Sequence, residues 1–275
     1  MKPIIVYMVA GLSSRFNGKI KQFAKVTNKE TLIEYSINQA LPYISKIIFV
    51  VGEKTREPFK KKFKRNFKGI PIFYTYQSYD KKTRDKPWGT LDALCTTIPF
   101  LDRPAIICNG DDLYGKQSFK KLALHLKKNK TDATIGYKLW TVIPEQGKVT
   151  RGIFKLENNK VGDIKEQFNL SKDSLKTQTL KDQYASMNLF LLTPKTIKKL
   201  HVLLTRFKEK HKDDKAAECL LPQELAKLIQ INELSLSFYP ATAPWFGITN
   251  PGDETTIREA LGKISKPSRG FYIPH

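Results

Sequence analysis

Cysteine is scarce in this 275-residue chain: Cys95, Cys108 and Cys219 are the only three. Their number is odd, they lie far apart and no CxxC spacing occurs, which argues against a disulfide framework and a zinc site. Cys95 and Cys108 stand in apolar runs and read as buried thiols, which fits a reducing, cytoplasmic setting. No apolar stretch approaches the ~20 residues of a membrane span. The short apolar run Ile4–Val9 leads straight into a polar glycine loop, so it reads as a buried strand rather than a signal peptide. Acidic residues are few, 26 against 48 basic ones, for a formal charge of +22. Arginine is scarce too, nine of those 48. Because base readers favour bidentate arginine, a nucleic-acid partner is set aside in favour of a solvated lysine surface. That field would still draw in a multiply charged nucleotide. The four histidines show no ligand or triad spacing, which disfavours a Ser-His-Asp hydrolase. Both GxxxxGK[ST] and GxGxxG are absent, which excludes a Walker loop and a dinucleotide fingerprint. No internal repeat and no Pro/Gly/Ser-rich linker divides the chain.

What is present is an alternation of strand and helix patterns. Strands are expected at Ile4–Val9, Lys46–Val51, Ile72–Gln77, Ala105–Cys108 and Ala133–Leu139. Helices are expected at Thr31–Leu41, Glu57–Phe67, Thr90–Ile98 and Ser118–Asn129. Beyond Trp140 the order changes, with strands at Gly152–Glu157, Lys160–Lys165, Ser186–Leu192 and Leu234–Tyr239. Helices there are expected at Pro194–Lys210, Pro222–Leu228 and Asp253–Leu261. The expectation is an α/β fold with a mixed, mainly parallel central sheet flanked by helices. One domain, 1–275, would carry a nucleotide-binding lobe over about 1–140 and an acceptor-binding lobe over about 141–275.

Three constellations carry chemistry. The first, Ala10-Gly11-Leu12-Ser13-Ser14-Arg15 through Lys21, follows a buried strand, where ligands bind in open α/β sheets. Gly11 lets backbone approach a phosphate, successive N–H groups can form an anion nest, and Arg15 and Lys21 add positive charge. The second is Lys86-Pro87-Trp88-Gly89-Thr90, where Gly89 and Thr90 would open a helix, with Thr90 as its cap. The third is Cys108-Asn109-Gly110-Asp111-Asp112, two acids at a strand end, a setting for Mg²⁺. Each also has a bland reading, as a tight turn, a capped loop or an Asx turn.

Taken together, AGxxSR…KQ, KPWGT and NGDD-Leu-Tyr-Gly resemble the sugar-phosphate nucleotidyltransferase family, the NDP-sugar pyrophosphorylases. Lys148-Val149-Thr150-Arg151-Gly152, Ile164-Lys165-Glu166, Ser186-Met187-Asn188 and Trp245-Phe246-Gly247-Ile248-Thr249 extend the likeness over about residues 3–253. The resemblance implies a nucleotide-diphospho-sugar transferase-like fold and transfer of NMP from an NTP to a phosphorylated acceptor, a sugar 1-phosphate, with release of pyrophosphate. It further implies Asp111 as Mg²⁺ ligand, Arg15 and Lys21 as charge stabilisers, and nucleotide contacts from Ala10, Gly11, Ser13, Ser14, Gly89, Thr90 and Asn109. Acceptor contacts would come from Glu166, Lys165 and Asn188. Ser13 stands where the family has a glycine and Leu113 where it has Phe. Pro244 replaces an acid that often helps bind metal, leaving Asp112 or Asp253 as second ligand. Two other readings compete. One is a cytidylyltransferase for a non-sugar phosphate such as phosphocholine, with Trp140, Tyr184 and Trp245 as candidate cage members. The other is an inactive nucleotide- or nucleic-acid-binding homologue. Base, acceptor and oligomeric state stay open.

Overall fold

A computed structural model describes residues 1–11, 16, 18–175 and 182–265, the last of these through its backbone only. The strands in chain order are β1 (Ile4–Met8), β2 (Lys46–Val51), β3 (Asn66–Phe67), β4 (Ile70–Tyr76), β5 (Ala105–Asn109), β6 (Asp112–Leu113), β7 (Ala133–Lys138), β8 (Val149–Glu157), β9 (Lys160–Leu170), β10 (Tyr184–Leu192), β11 (Ser237–Pro240) and β12 (Phe246–Gly247). The helices are α1 (Leu32–Ala40), α2 (Arg56–Phe63), α3 (Thr90–Cys95), α4 (Lys116–Asn129), α5 (Pro194–Lys210), α6 (Leu221–Gln230) and α7 (Asp253–Ser265). No helix among the described residues is long and apolar enough to cross a membrane.

Ten strands form one sheet in the order β3-β4-β2-β1-β5-β10-β7-β11-β9-β8, and β6 pairs with β12 apart from it. β1 runs parallel to β2 and β5, and β2 parallel to β4. These strands are almost continuous apolar runs, as both covered faces of a parallel sheet require. One face carries α1, α2 and α4 over Ile5, Tyr7, Phe49, Phe59 and Phe119. The other carries α3, α5 and α6 over Ile4, Val6, Ile107, Leu200 and Leu225. A third cluster, including Leu32, Leu113, Ile248 and Ile257, seats α7 against β6.

The sheet is mixed, but the expectation of a mainly parallel one needs correction. Parallel pairing runs from β4 to β5, and β10 then lies antiparallel to β5, β7 and β8. β8 and β9 are also antiparallel, because a two-residue turn joins them. Its residues, Asn158 and Asn159, both have positive φ, 50° and 60°. That is the geometry of a tight hairpin turn, which asparagine tolerates. β11 alone returns to parallel pairing, with β7. The extra β10–β8 pairing folds this half of the sheet back on itself.

Other boundaries shift for local reasons. The helix expected to reach Phe67 stops at Phe63, where Lys64 takes φ 52° and the short β3–β4 hairpin begins. The helix expected to reach Ile98 stops at Cys95, ahead of a separate short turn containing a proline. Cys108 is buried as expected, whereas Cys95 is half-buried.

Candidate active site

The parallel strands end together, and a cavity of about 620 Å³ opens at those ends. Its lining includes Ala10 and Gly11 after β1, Gly52 after β2, Gln77 after β4, and Asn109 at the end of β5 with Asp111 after it. Gly11 has open space around its Cα, and no described residue occupies the position that its missing side chain leaves. Ser13, Ser14 and Arg15 lie outside the described residues. Lys21 begins a short turn of helix, and its ammonium pairs with the Asp111 carboxylate. The pair joins the first and third sequence constellations across 90 residues of chain.

Gly89 and Thr90 also line this cavity, but their local roles differ from the expected cap. Gly89 occupies the cap position of α3 with φ 96°, and a Cβ there would sit 2.6 Å from the Cys219 carbonyl. The strict need for glycine therefore comes from the close approach of residue 219, which bonds Trp88 O and Leu91 N on either side. The Thr90 hydroxyl accepts from Leu221 N at 2.9 Å, satisfying the first turn of α6 rather than of its own helix. Gln77, which no motif singled out, is buried beside them. Its Nε2 donates to Gly89 O and to Asp92 Oδ2, both at 2.9 Å.

The two acids of the third constellation sit in unlike surroundings. Asp111 faces the first cavity. Asp112 is buried, and its Oδ2 accepts from Asn109 Nδ2 at 2.9 Å and from the Tyr114 hydroxyl at 3.0 Å. Burial, with the neighbouring Asp111 charge, pushes the Asp112 carboxyl up to about 7. The late Trp245-Phe246-Gly247-Ile248 segment packs against this turn: β12 pairs with β6, and Ile248 N donates to Asp111 O at 3.0 Å. Asp253 instead accepts from Thr249 N and Asn250 N ahead of α7, and it lines neither cavity. Both candidates for a second metal ligand are thus engaged by protein donors. No group of three metal-ligating side chains occurs among the described residues. Mg²⁺ commonly takes one or two carboxylates with the rest from phosphate and water, so Asp111 alone fits an ion that arrives with a nucleotide.

A second, smaller cavity of about 230 Å³ adjoins the first, and Thr90, Asn109 and Asn188 line both. Its walls come from β8, β9 and β10, with Arg151, Glu166, Ser186 and Trp245. Asn188 projects here because β10, while staying beside β7, shifts register between Ser186 and Phe190, where its other edge exchanges β8 for β5. Within that irregularity Asn188 takes φ 59°. A bulge of this kind re-aims a side chain that a regular strand would bury in the sheet. Glu166 Oε2 accepts from Gln223 Nε2 at 3.0 Å, which orients the carboxylate from α6. Lys165, its neighbour on β9, points the other way by strand alternation. It is exposed, 3.9 Å from Asp163, and absent from the lining. The three aromatics considered for a cationic cage are not assembled. Trp140 carries Lys172 on its ring, Tyr184 packs against Phe238, and Trp245 alone reaches the cavity.

No protein-family profile matches the chain, and no curated protein matches it in sequence. Solved structures do. One, assigned as a glucose-1-phosphate thymidylyltransferase from Bacillus anthracis in complex with a sucrose, has 13% identity and a TM-score of 0.71 over 97% of this chain and 98% of that one. The inositol-1-phosphate CTP transferase of T. maritima has 15% identity and a TM-score of 0.65, covering 96% and 97%. A UDP-glucose pyrophosphorylase complexed with UDP-glucose has 14% identity and a TM-score of 0.66, covering 96% and 100%. The chain therefore has a mixed α/β fold shared with nucleotidyltransferases. More narrowly, it is the fold of the sugar-phosphate nucleotidyltransferases, the group that the sequence motifs resemble.

Proposed function

We propose that this chain is a nucleotidyltransferase that moves NMP from an NTP onto a sugar 1-phosphate and releases pyrophosphate. The observation that carries the reading is the pair of joined cavities. The larger, beside the strand-end loops and Asp111, suits a nucleotide. The smaller suits a phosphorylated acceptor, and the two meet at Thr90, Asn109 and Asn188. In this reading one domain has a nucleotide lobe over about 1–140 and an acceptor lobe over about 141–275, and the enzyme works in the cytoplasm.

In the reaction an acceptor phosphate oxygen attacks the α-phosphorus. The bond from that phosphorus to the bridging oxygen breaks, and pyrophosphate leaves with the electron pair. The acceptor phosphate is already ionised near neutral pH, so no strong general base is needed. Repulsion between two polyanions is the main barrier, and positioning with charge neutralisation lowers it. Lys21 turns from Asp111 to the charge growing around the α-phosphorus, and Arg15 steadies the departing pyrophosphate. Ala10, Gly11, Ser13, Ser14, Gly89, Thr90 and Asn109 hold the nucleotide. Glu166, oriented by Gln223, accepts from acceptor hydroxyls beside Asn188. Asp111 would hold Mg²⁺, which would neutralise phosphate charge when bound.

The test is pyrophosphate release from each of UTP, dTTP, CTP and GTP against a panel of sugar 1-phosphates and phosphocholine, with and without Mg²⁺. Metal-dependent release with one sugar phosphate is expected. Release with phosphocholine alone would move the acceptor class. No release, together with strong retention on heparin, would favour an inactive anion-binding homologue.

A further inference from the structure

The second cavity holds two carboxyl groups, Asp112 and Glu166, and Arg151 is the one cation among its described lining residues. Arg151 stands near the start of β8, just past a register shift after Val149, and pairs with Gln167 on β9 while Gly152 pairs with Glu166, so its backbone is held by the sheet. Its guanidinium is half-buried and makes no ion pair among the described residues. Nε and Nη2 donate to Val142 O at 3.2 and 3.0 Å, and Nη1 donates to Thr150 O at 3.1 Å. Neutral carbonyls thus fix the group without cancelling its charge. Two of its five N–H donors, one each on Nη1 and Nη2, are left without an acceptor among the described residues. Burial pulls its pKa down, against the opposing pull of the Asp112 carboxyl. The guanidinium carbon lies 5.6 Å from the ring centroid of Trp245, which also lines the cavity. The Trp245 ring is held close by Gly247, where a Cβ would approach it to 2.5 Å.

A half-buried cation, oriented by carbonyls and with no carboxylate at ion-pair distance among the described residues, is an oxyanion seat. We infer that Arg151, seated on Trp245, binds the phosphate of the acceptor, the role that the sequence suggested for Lys165. Naming that anion as an acceptor phosphate rests on the transferase reading above. Glu166 then faces the other end of the ligand and, with Ser186 and Asn188, forms a wall for hydroxyls. The class of ligand is a polyhydroxylated phosphate monoester, either an aldose 1-phosphate or a polyol phosphate.

The experiment uses the full chain with Arg151→Gln and Arg151→Lys. The acceptor KM in Arg151→Gln should rise about tenfold or more, as for loss of a charged hydrogen bond, with the NTP KM within about twofold of wild type. Arg151→Lys should recover part of the loss, because it keeps the charge. A purely structural bracket to Val142 would instead weaken both variants alike, lower both melting temperatures and move both KM values together. Calorimetric titration of glucose 1-phosphate, inositol 1-phosphate and inorganic phosphate gives a readout without turnover, and all binding should weaken in Arg151→Gln. Aldose and polyol phosphates are told apart by which one binds more tightly than inorganic phosphate. An unchanged acceptor KM and unchanged phosphate binding in Arg151→Gln overturn the inference and leave the transferase reading standing. Arg151-dependent phosphate binding in a protein that turns over no NTP–acceptor pair overturns the transferase reading and keeps the seat.

Discussion

The two cavities are built from different materials. The larger is lined by loops leaving parallel strands, with glycines at 11, 52 and 89 and ion pairs between lining residues, Glu53–Lys81 and Lys86–Glu218. The smaller is lined by side chains standing on antiparallel strands, each oriented by a second residue: Glu166 by Gln223, and Arg151 by the Val142 carbonyl. A triphosphate can be gripped by backbone N–H groups and a few long cations. A small acceptor has to be read by fixed polar side chains. Under the proposed reaction, changes on the first side should therefore reach the chemical step, and changes on the second should reach acceptor affinity.

The sharpest test of that division is Asp111→Ala. It removes the carboxylate that pairs with Lys21 and would hold the metal. Metal-dependent pyrophosphate release should fall about a thousandfold or more. Turnover near that of wild type would remove Asp111 from the mechanism. Next is Lys21→Ala, for which kcat should drop on the order of a hundredfold, with the NTP KM little changed. A rise in KM alone would make Lys21 a binding group, and the first cavity would then differ less from the second. On the acceptor side, Glu166→Gln keeps a partner for Gln223 but removes the charge. The acceptor KM should rise roughly tenfold while the NTP KM stays put. If the NTP KM moved as much, the two cavities would not be separate sites.

This contrast also marks what the sequence could disclose. Loop chemistry is local: Gly11 and Asp111 lie within three residues of strand ends, Gly89 opens α3, and apolar periodicity located those strands to within a residue or two. Strands such as Lys46–Val51 and the long helix Pro194–Lys210 were legible because a continuous apolar run or a 3.6-residue stripe fixes them. The second cavity was harder to read. Its geometry depends on a hairpin turn at Asn158-Asn159 and on a register shift in β10, and neither follows from hydrophobic patterning. Strand alternation could have separated Glu166 from Lys165, since neighbours on a regular stretch of strand point to opposite faces of the sheet. Gln223 and Gln77 gave no local signal, because their partners lie 57 and 15 residues away and meet them only through tertiary packing. The β6–β12 pairing was missed for the same reason, both strands being two residues long.

Asn188 is where the comparison should blur, because it lines both cavities from within the β10 irregularity. Its left-handed backbone is one that asparagine adopts at little cost and glycine at less. Asn188→Gly should therefore keep folding stability within about 1 kcal/mol of wild type, the relief of strain being offset by the freer unfolded chain. Stability is read from the urea midpoint. Asn188→Val places a β-branched residue in the same conformation and should lose about 1–3 kcal/mol. In the glycine variant the side chain is gone while the fold persists, so both KM values should rise together, by about threefold each, as for loss of a modest neutral hydrogen bond. A rise confined to the acceptor KM would assign Asn188 to the second cavity alone. The meeting point of the two substrates would then rest on Thr90 and Asn109.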